Sequence, residues 1–257
     1  MARAFLSDRY NRIENLDVLL AALDGIRASG AAGQAARVVG GDLSERRMYL
    51  RVTSPEVQVL APKLLENYRS PFDGRRGADL PVISGGFIIS NSETGCGAFF
   101  VAPWLQFEVC RNGLVVKQNQ LRRAHLGAQL TDEDGVIEAS PETQRKNLEL
   151  ITAKTTDAVR SFLDVDYVTR IVRELEAEAG VEIRDPDTTI KLVGQKLRYS
   201  EEQQHDILNH FIRGGDPSAG GIMHAVTSVA QTLTDADSAF ELESTAIGAM
   251  RLAAATA

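Results

Sequence analysis

The chain has 257 residues and a formal net charge of −7, long enough to bury a full core and too acidic overall for wholesale nucleic-acid binding. No apolar run approaches the ~20 residues of a membrane span, and Met1 to Tyr10 carries two arginines with no apolar stretch behind them. These features predict a cytoplasmic protein without a membrane partner. The charge is unevenly spread. Residues 1–68 hold nine Lys/Arg against eight Asp/Glu, residues 69–160 eleven against eleven, and residues 161–257 eight against sixteen. Within the neutral middle, Val109 to Thr131 carries Arg111, Lys117, Arg122 and Arg123 with no acid, which makes it a local anion-attracting segment.

In chain order, Asn15 precedes Leu16, Leu19, Leu20 and Leu23 at helical spacing, with Gly30 as a stop; this predicts a first helix. Residues 36–54 read as a hairpin turning near Asp42 to Glu45. Met48, Leu50 and Val52 then form a core face, and Arg47, Tyr49, Arg51 and Thr53 a solvent face. Ser70 to Asp79, rich in turn-formers, predicts a mobile loop with Arg75 and Arg76 at its tip. Sheet resumes with Ile83, Phe87 and Ile89 on one face, then Leu105, Phe107 and Val109. Asn112-Gly113 marks a tight turn into another strand.

From Ser140 the period becomes helical. Ser140-Pro141 is a cap and first-turn pair, and Leu148, Ile151, Thr155, Ala158 and Phe162 trace one stripe. A second helix runs from about Asp164 to Gly180. Two shorter ones follow, the later opened by a capping box at Ser200 to Gln203 and closed by Gly214-Gly215. Residues 221–233 and 234–254 read as a final helical pair with a fraying, alanine-rich end. The whole predicts one α+β domain over 1–257. Residues 1–139 form a mainly β core, with the N-terminal helix and a curved antiparallel sheet, and residues 140–257 a helical part.

Few residues suggest bond-making chemistry. The segment Asn91-Ser92-Glu93-Thr94-Gly95 reads as a hairpin corner, although Glu93 would also suit a base or metal carboxylate. Cys96, Cys110 and His125 lack paired zinc-knuckle spacing, so both thiols are expected to be reduced and structural. There is no Walker loop, no strand-linked G-x-G-x-x-G and no G-x-S-x-G. Neither a catalytic residue nor a metal or cofactor is therefore assigned. What remains is basic: Arg47, Tyr49 and Arg51 on a strand face, Arg75 and Arg76 on a loop, then Arg111, Lys117, Arg122 and Arg123. Cations for phosphates beside an aromatic platform for bases are what single-strand binding requires. A plain solvated sheet face is the other reading.

The blocks "FLSDRYNRIENLDVL", "GGFIISNSETGCGAF", "FEVCRNGL", "RRAHLG" and "GGIMHAVTSVAQ" occur in that order. Together they resemble the phage- and plasmid-borne family called domain of unknown function 932, over nearly the whole chain. Where members of that family often carry a tryptophan before the small-residue helix, this chain has Gly-Gly-Ile-Met. The resemblance implies a phage or prophage protein encoded among replication and recombination genes. Its element order is similar to the core of single-strand annealing recombinases of the RecT and Red beta type. The expected function is then a homo-oligomeric, non-enzymatic protein that binds single-stranded DNA and anneals strands without ATP, alongside a phage or host recombination protein. A structural or adaptor protein that does not bind DNA is the alternative. A nuclease built on Glu93 and Glu108 is the least supported.

Overall fold

The computed structural model describes residues 13–123, 129–132, 135–138 and 140–257. The fold is α+β, a curved antiparallel sheet followed by a helical C-terminal half. Helices α1 (Asn15–Ala28) and α2 (Gly30–Gln34) lead into the hairpin of β1 (Arg37–Leu43) and β2 (Met48–Leu60). After α3 (Pro62–Leu65) come β3 (Val82–Asn91) and β4 (Phe99–Phe107). The sheet runs β1-β2-β3-β4, and the outer edge of β4 is shared by β5 (Gly113–Val115) and β6 (Leu121–Arg123). A separate ribbon pairs β7 (Gln129–Asp132) with β8 (Gly135–Glu138). Breaks in register at Val38/Gly40 and Thr53/Gln58 are bulges of the kind that bend a sheet.

The helical half comprises α4 (Pro141–Phe162), α5 (Val165–Ala179), α6 (Pro186–Leu197), α7 (Glu201–Gly214), α8 (Ala219–Thr232), α9 (Ala236–Glu243) and α10 (Ala246–Thr256). Capping follows the side chains. Ser140 accepts from the Thr143 amide ahead of Pro141, Asp164 from Tyr167, and Ser200 with Gln203 forms the expected capping box. The left-handed φ of 70° at Gly215 ends α7. Helix α8 is buried on every side from Ala219 to Ala230, a stretch of small and apolar residues apart from His224, whose ring bonds the Leu64 carbonyl.

Alternation along the strands sends Val52, Ile83, Phe87, Ile89, Val101 and Leu105 to one face. They join a buried cluster that extends from Ile13 to Ala253 and includes α4, α5, α8 and α10. The expected stripe of α4 is present, with Ile151, Thr155 and Phe162 buried.

Three local expectations change. Three of the four leucines expected on the core face of α1 lie outside it: Leu16, Leu20 and Leu23 are 64, 52 and 46 % exposed, whereas Leu19 packs against the core beside buried Val18, Ala21, Ala22 and Gly25. The cause is close approach to α4, since a Cβ on Gly25 would lie 2.8 Å from the Val159 Cβ and 3.1 Å from the Thr156 Cα. Small residues permit the contact that leucines would block. The Ser70–Asp79 segment is a pinned turn, with the Ser70 amide donating to the Arg75 carbonyl (2.8 Å) and the Gly77 amide to that of Tyr68 (2.8 Å). Finally, the stretch after α8 breaks at Ser244-Thr245 into α9 and α10, and the alanine-rich end stays helical to Thr256 with Ala249, Met250 and Ala253 buried.

The packing of α1 is testable by denaturant unfolding. Gly25→Leu is expected to lower stability by ~1–3 kcal/mol through overpacking against Val159. Leu20→Ser, on the exposed face, should stay within ~0.5 kcal/mol of the parent.

Candidate functional site

The second face of the sheet carries the residues on which single-strand binding was expected to rest. Tyr49 stands opposite Ser90, Ser90 opposite Phe100, and Phe100 opposite Arg122. Cross-strand partners share a face, so Arg47, Tyr49 and Arg51 lie on the same side as Arg122. Helix α9 covers the middle of that side. Its Phe240 ring stacks on Tyr49 (centroids 4.9 Å apart, planes at 30°) and on Phe100 (5.3 Å, 29°), over a small apolar cluster with Ile88, Ala102, Trp104 and Val115.

The expectation of a solvent-facing Arg-Tyr-Arg strip is therefore corrected. Tyr49 is 1 % exposed, and its hydroxyl donates to Asp237 Oδ1 at 2.7 Å. Burial first, and then this bond, push its pKa up. Arg51 donates to Asp42 (2.7 Å) and pairs with Glu243 (3.5 Å). Arg47 donates to the Cys96 carbonyl through Nε (2.9 Å) and Nη2 (2.7 Å), and lies 3.9 Å from Glu241. A sheet with both faces covered has no open aromatic platform. Nothing in the alternation of β2 announces this, because the cover arrives from residues nearly 190 positions away in sequence.

At the centre of the cover, the Trp104 indole donates to buried Glu243. Desolvation raises the Glu243 pKa, while Arg51 and the indole hold it down. Gly113 is required here, for a Cβ at that position would lie 2.5 Å from both Glu243 Oε1 and the Trp104 ring. The Asn112-Gly113 pair is thus a turn and also a socket.

The remaining expected cations fall into two groups. Lys117 and Arg122 are exposed beside α9 and form no salt bridge with any described residue. Desolvation lowers the Lys117 pKa, with Glu241 opposing the shift and Arg122 adding to it. The side chain of Arg123 lies outside the described residues; its backbone is in register with Phe99. Arg111 belongs to the other end of β4, beyond Phe107, where it adopts φ 59°. Arg75, paired with Asp73, acts electrostatically on the adjacent Cys110, which places the Arg75-Arg76 turn near that same corner. Arg122, opposite Phe100, is separated from the Phe107 end by most of β4, on the order of 20 Å at ~3.3 Å per residue, while Lys117 follows Val116 near the middle of the strand. The cations grouped by the sequence thus fall at two separate places on the sheet.

That second corner is a polar core. Asn112 donates to Ser228 (2.7 Å) and Thr227 (3.2 Å), Tyr68 bonds Ser228 (3.3 Å), and His224, stacked on Tyr68 at 4.3 Å, bonds the Leu64 carbonyl (2.9 Å). Burial pushes the Cys110 thiol up to about 11, so it is a protonated packing group at neutral pH. Cys96 is exposed at the other end of β4, too distant to share a disulfide or a metal with Cys110. His125 lies outside the described residues.

The Asn91-to-Gly97 turn joins β3 to β4 and holds its surroundings together. Asn91 Nδ2 donates to the Ile13 carbonyl (2.9 Å) and to Asn15 Oδ1 (2.8 Å). Ser92 and Thr94 donate to the Arg46 carbonyl (2.7 and 3.1 Å). Glu93 accepts from the Asn15 amide (2.8 Å), placing a carboxylate at the start of α1. With Ser44, Arg46 and Arg47, the residues Asn15, Asn91, Glu93 and Thr94 line a surface cleft of about 630 Å³. Glu108 receives a hydrogen bond from Ser84 near the far end of β4, so Glu93 and Glu108 cannot act on one metal.

Tyr49 is accordingly a structural residue. Tyr49→Ala is expected to cost ~3–5 kcal/mol, as other large aromatic truncations do. Tyr49→Phe keeps the stack with Phe240 and should cost ~1–3 kcal/mol for the bond lost to Asp237. Urea denaturation followed by circular dichroism measures both. No family model, curated protein or solved structure matches the chain.

Proposed function

We propose that this chain binds single-stranded DNA and promotes strand annealing in mobile-element recombination, without ATP. The observation that carries the reading is the exposed pair Lys117 and Arg122 at the outer edge of the sheet. Both lack a salt-bridge partner among the described residues, and both belong to a segment whose sequence holds no acid. Two such cations offer phosphate contacts without first breaking an internal bond. The resemblance of the sequence blocks to a phage- and plasmid-borne family supports the biological setting. Arg76 and Arg111 at the other corner extend the set for a longer strand. Arg51, held by Asp42 and Glu243, is the least available.

Fluorescence anisotropy with labelled single-stranded and duplex oligonucleotides at several salt concentrations tests this. The single strand should bind more tightly. The Lys117→Ala, Arg122→Ala double variant should weaken binding and flatten the log–log salt slope by ~0.7 per lost phosphate contact. Absence of single-strand binding at low salt, or an unchanged slope in the folded double variant, rejects the reading.

A second reading, an adaptor or scaffold protein without DNA, is favoured by one observation. Leu16, Leu20 and Leu23 form an exposed apolar stripe along α1. Contiguous exposed apolar surface marks protein contacts. Light scattering should show a mass above the 27.9 kDa of one chain, reduced by Leu16→Ser with Leu20→Ser. A parent that stays monomeric at micromolar concentration excludes self-association through this stripe.

A further inference from the structure

Helix α9 bonds to the sheet in the way a nucleic-acid strand would. An aromatic ring, Phe240, lies stacked against both Tyr49 and Phe100, which is the position a base takes on an aromatic platform. The helix also brings carboxylates to the groups that would meet phosphates or sugar hydroxyls. Asp237 accepts from Tyr49 (2.7 Å) and Ser44 (3.1 Å), Glu241 faces Arg47 (3.9 Å), and Glu243 faces Arg51 (3.5 Å). Lys117, on which Glu241 acts, and Arg122, opposite Phe100, form no salt bridge with any described residue and lie at the edge of the same face.

The helix is built as a separate piece. It has only eight residues, follows the extended backbone of Leu233 and is divided from α10 by Ser244-Thr245. Leu242 is its contribution to the main core, whereas Phe240 belongs to the second, smaller cluster. Asp235 caps its first turn by accepting from the Ser238 amide (2.8 Å), so the segment keeps its own helical order.

We infer that α9 is an internal stand-in for a single strand, and that the face beneath it is a second, latent nucleic-acid site in which a base replaces Phe240 and backbone phosphates replace the carboxylates of Glu241 and Asp237. This rests on the proposed single-strand binding. A strand first engages Lys117 and Arg122 at the open edge, then competes with α9 for Arg47 and the rings. The site takes unpaired strands, because a base already stacked and paired in a duplex cannot enter between two protein rings. Binding by the resting protein is weakened by the fraction of molecules in which α9 is seated.

The chain carries its own reporter. Trp104 is the single tryptophan, buried beneath α9 and bonded to Glu243. The full-length protein is titrated with a fluorescein-labelled oligodeoxythymidine for anisotropy, and with the unlabelled oligomer for tryptophan emission and amide hydrogen exchange. Displacement predicts that Trp104 emission changes over the same concentration range as binding and that amides 236–243 lose protection. Glu241→Gln, at an exposed position, should tighten binding about threefold, and Phe240→Ala more, both checked for folding by circular dichroism. Glu201→Gln on α7 removes the same charge elsewhere and should leave affinity unchanged. If the oligomer binds while Trp104 and the α9 amides are unaffected, the latent site is refuted and edge binding through Lys117 and Arg122 survives. Equal tightening by Glu241→Gln and Glu201→Gln also refutes it, as a general charge effect. If neither the parent nor a folded α9 variant binds, single-strand binding itself fails and the latent site fails with it.

Discussion

A carboxylate removed from water, Glu243, is held between the Trp104 indole and the Arg51 guanidinium, and closure of the sheet's second face depends on it. Breaking a buried ion pair by removing one partner typically costs ~3–5 kcal/mol, because the survivor is left charged and unsolvated. Here the arrangement is graded. Arg51 keeps Asp42 as a second partner, so its charge stays compensated at the sheet edge, whereas among the described residues Glu243 is bonded by the indole and Arg51. The absent side chain of Gly113 makes room for the contact, and Trp104 cannot turn away without leaving its bond. One acid thus sets the position of α9, the orientation of the tryptophan and the residue tolerated in the β5 turn.

From this contact the rest of the second face follows. With Glu243 placed at the C-terminal end of α9, Phe240 falls one turn back onto Tyr49 and Phe100, and Asp237 another turn back onto the Tyr49 hydroxyl. The spacing of three residues between Asp237, Phe240 and Glu243 lays all three along one side of the helix. Glu241 falls elsewhere on the helix and stays exposed near Arg47 and Lys117. The same helix therefore seals the sheet and sets the charge at its rim, which couples the exposure of the aromatic rings to the fate of the basic edge.

The β3–β4 corner, joined to this face by Arg47, is organised by backbone acceptors and small polar side chains. The Asn91-to-Gly97 turn is dense in hydroxyl and amide groups because three segments meet there, the start of α1, the β1–β2 turn and the turn itself. Each of these bonds satisfies a main-chain group near the sheet end. Gly95 at φ 80° and Gly97 against the Arg47 guanidinium let the chain turn within reach of all three. The turn is thus accounted for by its connections.

Much of the secondary structure was written in local sequence. Ser140-Pro141, Asp164 and the Ser200–Gln203 box mark helix starts because capping bonds involve residues three apart. The alternation in β3 and β4 sorted Ile83, Phe87, Ile89 and Leu105 correctly onto one face, since side-chain period is a property of the strand alone. Helical periodicity misled at α1, where Leu16, Leu20 and Leu23 point to solvent and Val18, Ala21, Ala22 and Gly25 are buried. Hydrophobicity measures the gain from burial, but the distance to α4 is decided by Val159 and Thr156, which are far away in the chain. The candidate site divides in the same manner. Residue type and charge located Lys117 and Arg122 on an acid-free stretch by themselves. Whether Tyr49 was a platform or a core residue was decided only when α9 came down on it, because a strand's alternation defines two faces and cannot say which of them another element will cover.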